Sequence, residues 1–313
     1  MHTLTLLALV GLAAQLVDGS LGMAHGAVST ALLLALGTGP ALASAVVHLA
    51  QIGTGLASGA AHARLGNVDW QVVARTGLPG AVGAFAGAIL LTRLSTDAAS
   101  PLTAAILLCL GLYVAVRFTL RGMPRGRLGA PLHRRFLVPL GLVAGFLGAT
   151  GGGGWGLIGT PVLLASGRLE PRKVIGSVDA GKCLVAVAAS LGFLVSLGTR
   201  GVAWTWVLAF LAGGLAVAPA AARLVRFAAP RVLGSAVGGL IVLLNARTLL
   251  TCDALSVPGA IGVCVQALLG AVWVAAVAYA VRAHRADRAA APPAVPGLAE
   301  TAAGAGAGAG APE

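Results

Sequence analysis

The stretch FLVPLGLVAGFLGATGGGGWGLIGTPVLLASG (136–167) runs for more than 30 residues without a charged side chain, and its reading decides the fold. A straight α-helix of that length would extend ~50 Å at 1.5 Å per residue, against a bilayer core of ~30 Å. Gly148 and Gly151 to Gly154 interrupt the stretch near its middle. Two half-helices folded back as a hairpin fit these residues better than one span. A second block of the same kind, 4–36, is interrupted by Gly19, Gly22 and Gly26.

The rest of the chain supports a membrane setting. Of its 313 residues, 58% are hydrophobic and 10% charged, whereas a soluble domain is about a quarter charged. Further apolar blocks span roughly 39–61, 71–92, 100–117, 174–198, 202–222, 229–250 and 257–281. The expected fold class is therefore all-α, a polytopic transmembrane helical protein. The net charge of +12 raises nucleic acid as a partner. However, the basic residues sit in the breaks between apolar blocks, with no basic stripe interleaved with aromatics, so nucleic-acid binding is excluded and the lipid bilayer is the partner expected. Cys109, Cys183, Cys252 and Cys264 form neither a CxxC pair nor a Cys/His cluster, so no metal, cofactor or disulfide framework is expected. The N-terminus lacks Lys or Arg before its apolar run and reads as part of the mature protein rather than a cleaved signal.

The basic residues also orient the chain. Arg117, Arg121, Arg125, Arg127, Arg134 and Arg135 mark one cytoplasmic break, and Arg282, Arg285 and Arg288 a cytoplasmic C-terminal stretch. An even number of crossings must separate them. Blocks 174–198, 202–222, 229–250 and 257–281 give four, so block 136–167 crosses twice or not at all. Arg168, Arg172 and Lys173 then fall inside, as do Arg223, Arg226 and Arg231, while Arg200 falls outside. In the first half, Arg64 and Arg75 flank an inside break and Arg93 with Asp97 lies outside.

The two long blocks open two similar halves. LVDGSLG (16–22) parallels LVAGFLG (142–148), and LLALGTGPALASAVVH (33–48) parallels LLASGRLEPRKVIGSVD (163–179). This sets Gly37 on Gly167, Pro40 on Pro171 and His48 on Asp179. The orientations are opposite, so two inverted repeats are expected, each starting with a broken helix, with a site where the breaks meet. The organisation is a first repeat (1–122), a cytoplasmic basic loop (123–135), a second repeat (136–251), an extra C-terminal helix (252–283) and a disordered Ala/Pro/Gly tail (284–313).

These residues resemble the TauE/SafE family of sulfite and organosulfonate exporters, also called TSUP. The resemblance rests on GFLGATGGGGWG (145–156), Pro161, GRLEPRKVIG (167–176) and GNVDW (66–70), and covers about residues 10–250. The first half departs from the pattern, with GMAHG (22–26) where a glycine run would stand. The resemblance implies transport of a small anion, often sulfur-containing, across the cytoplasmic membrane.

Candidate site residues follow. Gly151, Gly152, Gly153 and Gly154 precede the expected start of a half-helix near Trp155, whose free N–H groups and positive dipole end favour an anion. Close helix packing explains Gly148, Gly152 and Gly156 equally well. Gly22 and Gly26 occupy the other break. Polar residues inside apolar blocks usually face a pathway or a partner. Lys182 lies a third of the way into its block, where it either attracts the anion or pairs with Asp179 three residues earlier. Gln51 aligns with Lys182 in the repeat. His48, His25, Asp179 and Asp18 are candidates for proton coupling. His62 and Asp69, next to a cytoplasmic break, read as surface residues.

GSVDAGKC (176–183) nearly matches a phosphate-binding GxxxxGK[ST] loop, but Cys183 replaces the hydroxyl residue and no strand precedes it, which rejects a nucleotide site. The expected function is a secondary transporter working by alternating access, with proton coupling open. The alternatives are an intramembrane serine hydrolase using Ser20 or Ser29 with His48, and a passive anion channel. No GxSG motif supports the hydrolase. An enzyme is not expected.

Overall fold

A computed structural model describes residues 2–23, 25–120, 128–152, 154–199, 202–224, 229–251 and 257–289. Among these residues all regular structure is helical. The first half contains α1 (His2–Leu21), α2 (His25–Ala35), α3 (Pro40–Arg64), α4 (Trp70–Arg93) and α5 (Thr96–Leu120). The second contains α6 (Arg134–Thr150), α7 (Trp155–Ser166), α8 (Pro171–Leu197), α9 (Trp204–Leu224) and α10 (Pro230–Leu250), followed by α11 (Gly259–Ala289). Eight of these, α1, α3, α4, α5 and α8 to α11, are long and apolar enough to cross a membrane.

Both long apolar blocks are broken where their glycines cluster. The 11 residues of α2 and the 12 of α7 are too short to cross. The chain turns between α1 and α2 at Gly22 (φ +66°) and between α6 and α7 at Gly152 (φ +73°), left-handed conformations that suit glycine. Local sequence sets the other boundaries. Pro40 and Pro171 start α3 and α8 at the position where a missing N–H costs nothing, and Asp69 caps α4 by accepting from the N–H groups of Gln71 and Val72.

The helix packing has a two-fold character. α1 lies against α9, and α6 against α4. α3 packs on α8 and α5 on α10. Exchanging each of the first five helices with the one five places later leaves this set of partners unchanged. α3 and α8 run antiparallel, since Gly55 approaches Cys183 and Gly59 approaches Ala180. α5 and α10 are also antiparallel, with Gly111 against Ile241 and Phe118 against Gly234. α11 packs mainly on α10 and exposes Ile261, Val263, Leu268, Val272 and Val274. A face so apolar suits lipid.

One boundary differs from the sequence reading. The C-terminal helix continues to Ala289, past the expected start of the tail at 284, because Arg282, Arg285 and Asp287 are compatible with helix and Asp287 pairs with Arg231. Residues 290–313 lie outside the described residues, as do 121–127 of the basic loop. GSVDAGKC forms part of α8, so no phosphate loop exists there.

Candidate functional site

Among the described residues, the largest concentration of buried charge lies between α1, α3 and α8. Asp18 is on the last turn of α1, two residues before Ser20 and four before the Gly22 turn. Asp179 and Lys182 are on α8, on one face by their three-residue spacing. Lys182 Nζ is ion-paired with Asp18 Oδ2 and with Asp179 Oδ1, the latter at 2.5 Å. All three residues are at most 3% exposed. Asp179 is eight residues into α8, so the cluster lies ~12 Å along that helix from its start.

Each carboxylate has further partners. Ser58 of α3 donates to Asp179 Oδ2. His62, one turn further along α3, places Nε2 3.5 Å from the same oxygen and 3.1 Å from the Gly19 carbonyl. Both neighbours accept hydrogen bonds, so Nε2 carries a proton, while Nδ1 faces the Asn67 amide at 3.4 Å. The other oxygen of Asp18 lies 3.5 Å from the backbone N of His25, the first residue of α2. A carboxylate there complements the positive end of the helix.

Beside this network are fully buried polar atoms with no hydrogen-bond partner: both ring nitrogens of His25, both amide atoms of Gln15, and the hydroxyls of Ser29 and Thr54. Gln15 is one turn before Asp18 on α1. Gln15 and Thr54 meet over Gly214 of α9.

The breaks themselves are joined. Thr30 of α2 donates to the Gly152 carbonyl at 2.5 Å, and Thr160 of α7 donates to the Gly22 carbonyl at 2.6 Å. The glycine run serves the turn. Gly151 N–H bonds to Leu147 O at 2.8 Å, and the Gly152 and Gly154 N–H groups lie 3.4 Å from Ala149 O and Gly148 O. α7 starts at Trp155 as expected, and no side chain caps it. Gly26 is buried in the first turn of α2. Gly153 lies outside the described residues.

Several expected neighbours are separate. His48 does not join the charged cluster. Its Nδ1 lies 2.8 Å from the Ser44 carbonyl and 3.3 Å from the Ser44 hydroxyl, and its ring packs against Phe193. Gln51 is buried one turn along α3 from His48. Ser20 donates to Val17 O at 2.9 Å, and neither Ser20 nor Ser29 approaches His48. Asp18 meets the backbone N–H of His25 rather than its ring. His62 corrects the surface reading, because α3 carries it beneath the end of α1, where the Gly19 carbonyl and Asp179 need its proton. Asp69 is half-buried and acts as a helix cap.

Spanning-length helices around a buried charge cluster, with two broken helices tied together, define a multi-pass membrane protein of the transporter class. The family model for the sulfite exporter TauE/SafE matches residues 7–248, and the chain belongs to that family. It is similar to "Probable membrane transporter protein YtnM" of Bacillus subtilis (strain 168), at 47% identity over 280 residues, 89% of this chain and 93% of the relative. No solved structure matches the chain.

Proposed function

We propose that this membrane transporter is a secondary carrier for a small anion, a sulfur oxyanion or organosulfonate, in the cytoplasmic membrane with its C-terminus inside. The family description supplies the substrate class. The observation that carries the mechanism is the reciprocal tie between the two breaks, Thr30 to Gly152 and Thr160 to Gly22. It supports two inverted repeats whose half-helices meet between the halves, the arrangement that serves alternating access in many carriers. Antiparallel pairing of α3 with α8 and α5 with α10 supports the inversion, since an axis in the membrane plane turns each helix into an oppositely directed partner.

The binding role belongs to the region between Lys182, the Gly22 and Gly26 turn and the uncapped start of α7 at Gly151 to Gly154, with Gln51 buried on α3 one turn before Gly55, which meets α8. Asp18, Asp179, His25 and His48 are the groups through which a proton gradient would act. In proteoliposomes, wild-type protein should move at least one of sulfite, thiosulfate, taurine or sulfoacetate, faster under a pH gradient than without one. Movement of none under any ion gradient would defeat the reading. Flux insensitive to pH and unsaturable in substrate would favour a passive channel.

A further inference from the structure

Lys182 and the N-terminus of α2 are two features that attract an anion, and a protein carboxylate already occupies both. One oxygen of Asp18 pairs with Lys182 Nζ and the other faces the His25 N–H. The second carboxylate, Asp179, is held differently. It bonds to Ser58 and Lys182 and faces His62 Nε2, all on α3 and α8. Asp18 reaches the cluster from α1, at the edge of the Gly22 turn, and its described partners are Lys182 and the His25 N–H. The other break has no counterpart. The turns correct the register of the sequence alignment, which set Asp18 on Ala144: counted from the left-handed glycines Gly22 and Gly152, the matching place four residues before the turn is residue 148, and it is glycine.

We infer that Asp18 is a resident anion, and that a proton on Asp18 vacates Lys182 and the α2 N-terminus for the substrate, so that proton and anion bind together. This rests on the anion-carrier reading and assigns the competing group within it. Charge supports the assignment. The trio itself, two carboxylates and one ammonium, carries one net negative charge in a buried place. A monoanion arriving alone would double that charge, a large cost at low dielectric. A monoanion arriving with one proton leaves it unchanged. The proton comes from solvent and forms the O–H of the Asp18 carboxylic acid, and no other bond changes. The unpartnered His25 ring nitrogens, Gln15 amide and Thr54 hydroxyl supply donors that the internal network leaves unused.

The surroundings of Asp18 single it out. From α8 it faces Lys182 and Asp179, from α2 His25, and from α3 His62 through Asp179 and Gly19 O. α9 and α10 bring no ionisable side chain to it among the described residues: Arg223 of α9 is exposed, Arg231 pairs with Asp287 near the start of α10, and Arg247 is in the last turn of α10.

The test uses the full-length protein in detergent with methanesulfonate, whose charge is constant across the physiological pH range, and with thiosulfate. Wild-type affinity should weaken about tenfold per pH unit as pH rises, the linkage of one proton per anion. Calorimetry in buffers of different ionisation enthalpy should give uptake of one proton per anion bound. Asp18→Asn keeps the shape and removes the competing charge, so it should bind more tightly at high pH and lose the pH dependence. Wild-type binding without proton uptake would overturn the inference, and needs no variant to fold. So would an Asp18→Asn protein that keeps the wild-type pH dependence. If neither anion binds at any pH and the four-anion uptake assay is also negative, the carrier reading falls along with the inference. Uptake that is positive and independent of external and internal pH would overturn the inference alone.

Discussion

The Thr160 hydroxyl donates to the Gly22 carbonyl at 2.6 Å, and Thr30 returns the same bond to Gly152 at 2.5 Å. The intervals match, since 22 to 152 and 30 to 160 are each 130 residues. Each threonine belongs to one half-helix and each carbonyl to the turn of the other, so the breaks are fastened across the halves. A turn carbonyl in a membrane interior has few other partners.

Removing one hydroxyl while keeping its shape tests this fastening. Thr160→Val and Thr30→Val should each destabilise the protein by ~1–3 kcal/mol, the cost of leaving a buried carbonyl unpaired. The matched geometry predicts similar losses for the two. Unfolding midpoints in detergent would show it, and a loss confined to one of them would mean that the breaks are not equivalent.

Lys182 bridges two carboxylates, so its loss should be severe. Lys182→Met leaves two unpaired buried charges, and breaking a buried pair costs ~3–5 kcal/mol. Adding Asp18→Asn and Asp179→Asn to that variant should recover most of the loss, because no uncompensated charge remains. Unfolding midpoints of the single and triple variants decide the point. A single variant as stable as wild type would show that the network contributes little.

Glycines with the same backbone conformation but different surroundings separate strain from contact. Gly37 (φ +82°) has open space where a Cβ would stand, whereas at Gly152 (φ +73°) a Cβ would collide with Thr30. Gly37→Ala should cost only ~1–2 kcal/mol of backbone strain. Gly152→Ala should cost clearly more and reduce transport. Yield of folded protein by size-exclusion chromatography and the unfolding midpoint would compare them.

Much of the fold was readable because the bilayer leaves few options. A run of apolar residues at 136–167 with glycines in its middle has to break, and α6 and α7 break there. The Asp179–Lys182 pair was readable from spacing on one helix. Asp18 as the third member was not, because it lies 164 residues from Lys182 and only the packing of α1 beside α8 brings it in. His62 misled for a related reason. Two residues before Arg64, which ends α3, it has the sequence context of a surface histidine, and its burial comes from the end of α1 lying over it. His48 aligned with Asp179, but repeat alignment marks corresponding places in two halves, and these are distinct places in space, one beside Phe193 and the other beside His62.

The remaining prediction concerns orientation. By the distribution of basic residues, the α4–α5 connection is expected outside and the stretch before α6 inside. The packing adds an independent constraint: α4 runs parallel to α6, with Gly83 and Gly87 following Leu142 and Phe146, so both leave the same face. That face must be the one holding Arg134 and Arg135, and the end of α4 near Arg93 must then lie opposite. In a background with Cys109, Cys183, Cys252 and Cys264 replaced by serine, Ser95→Cys should react with an impermeant maleimide on intact cells. Ala130→Cys should react only after permeabilisation. Labelling of both from outside would contradict this orientation, because α5 joins these two sites through a single crossing.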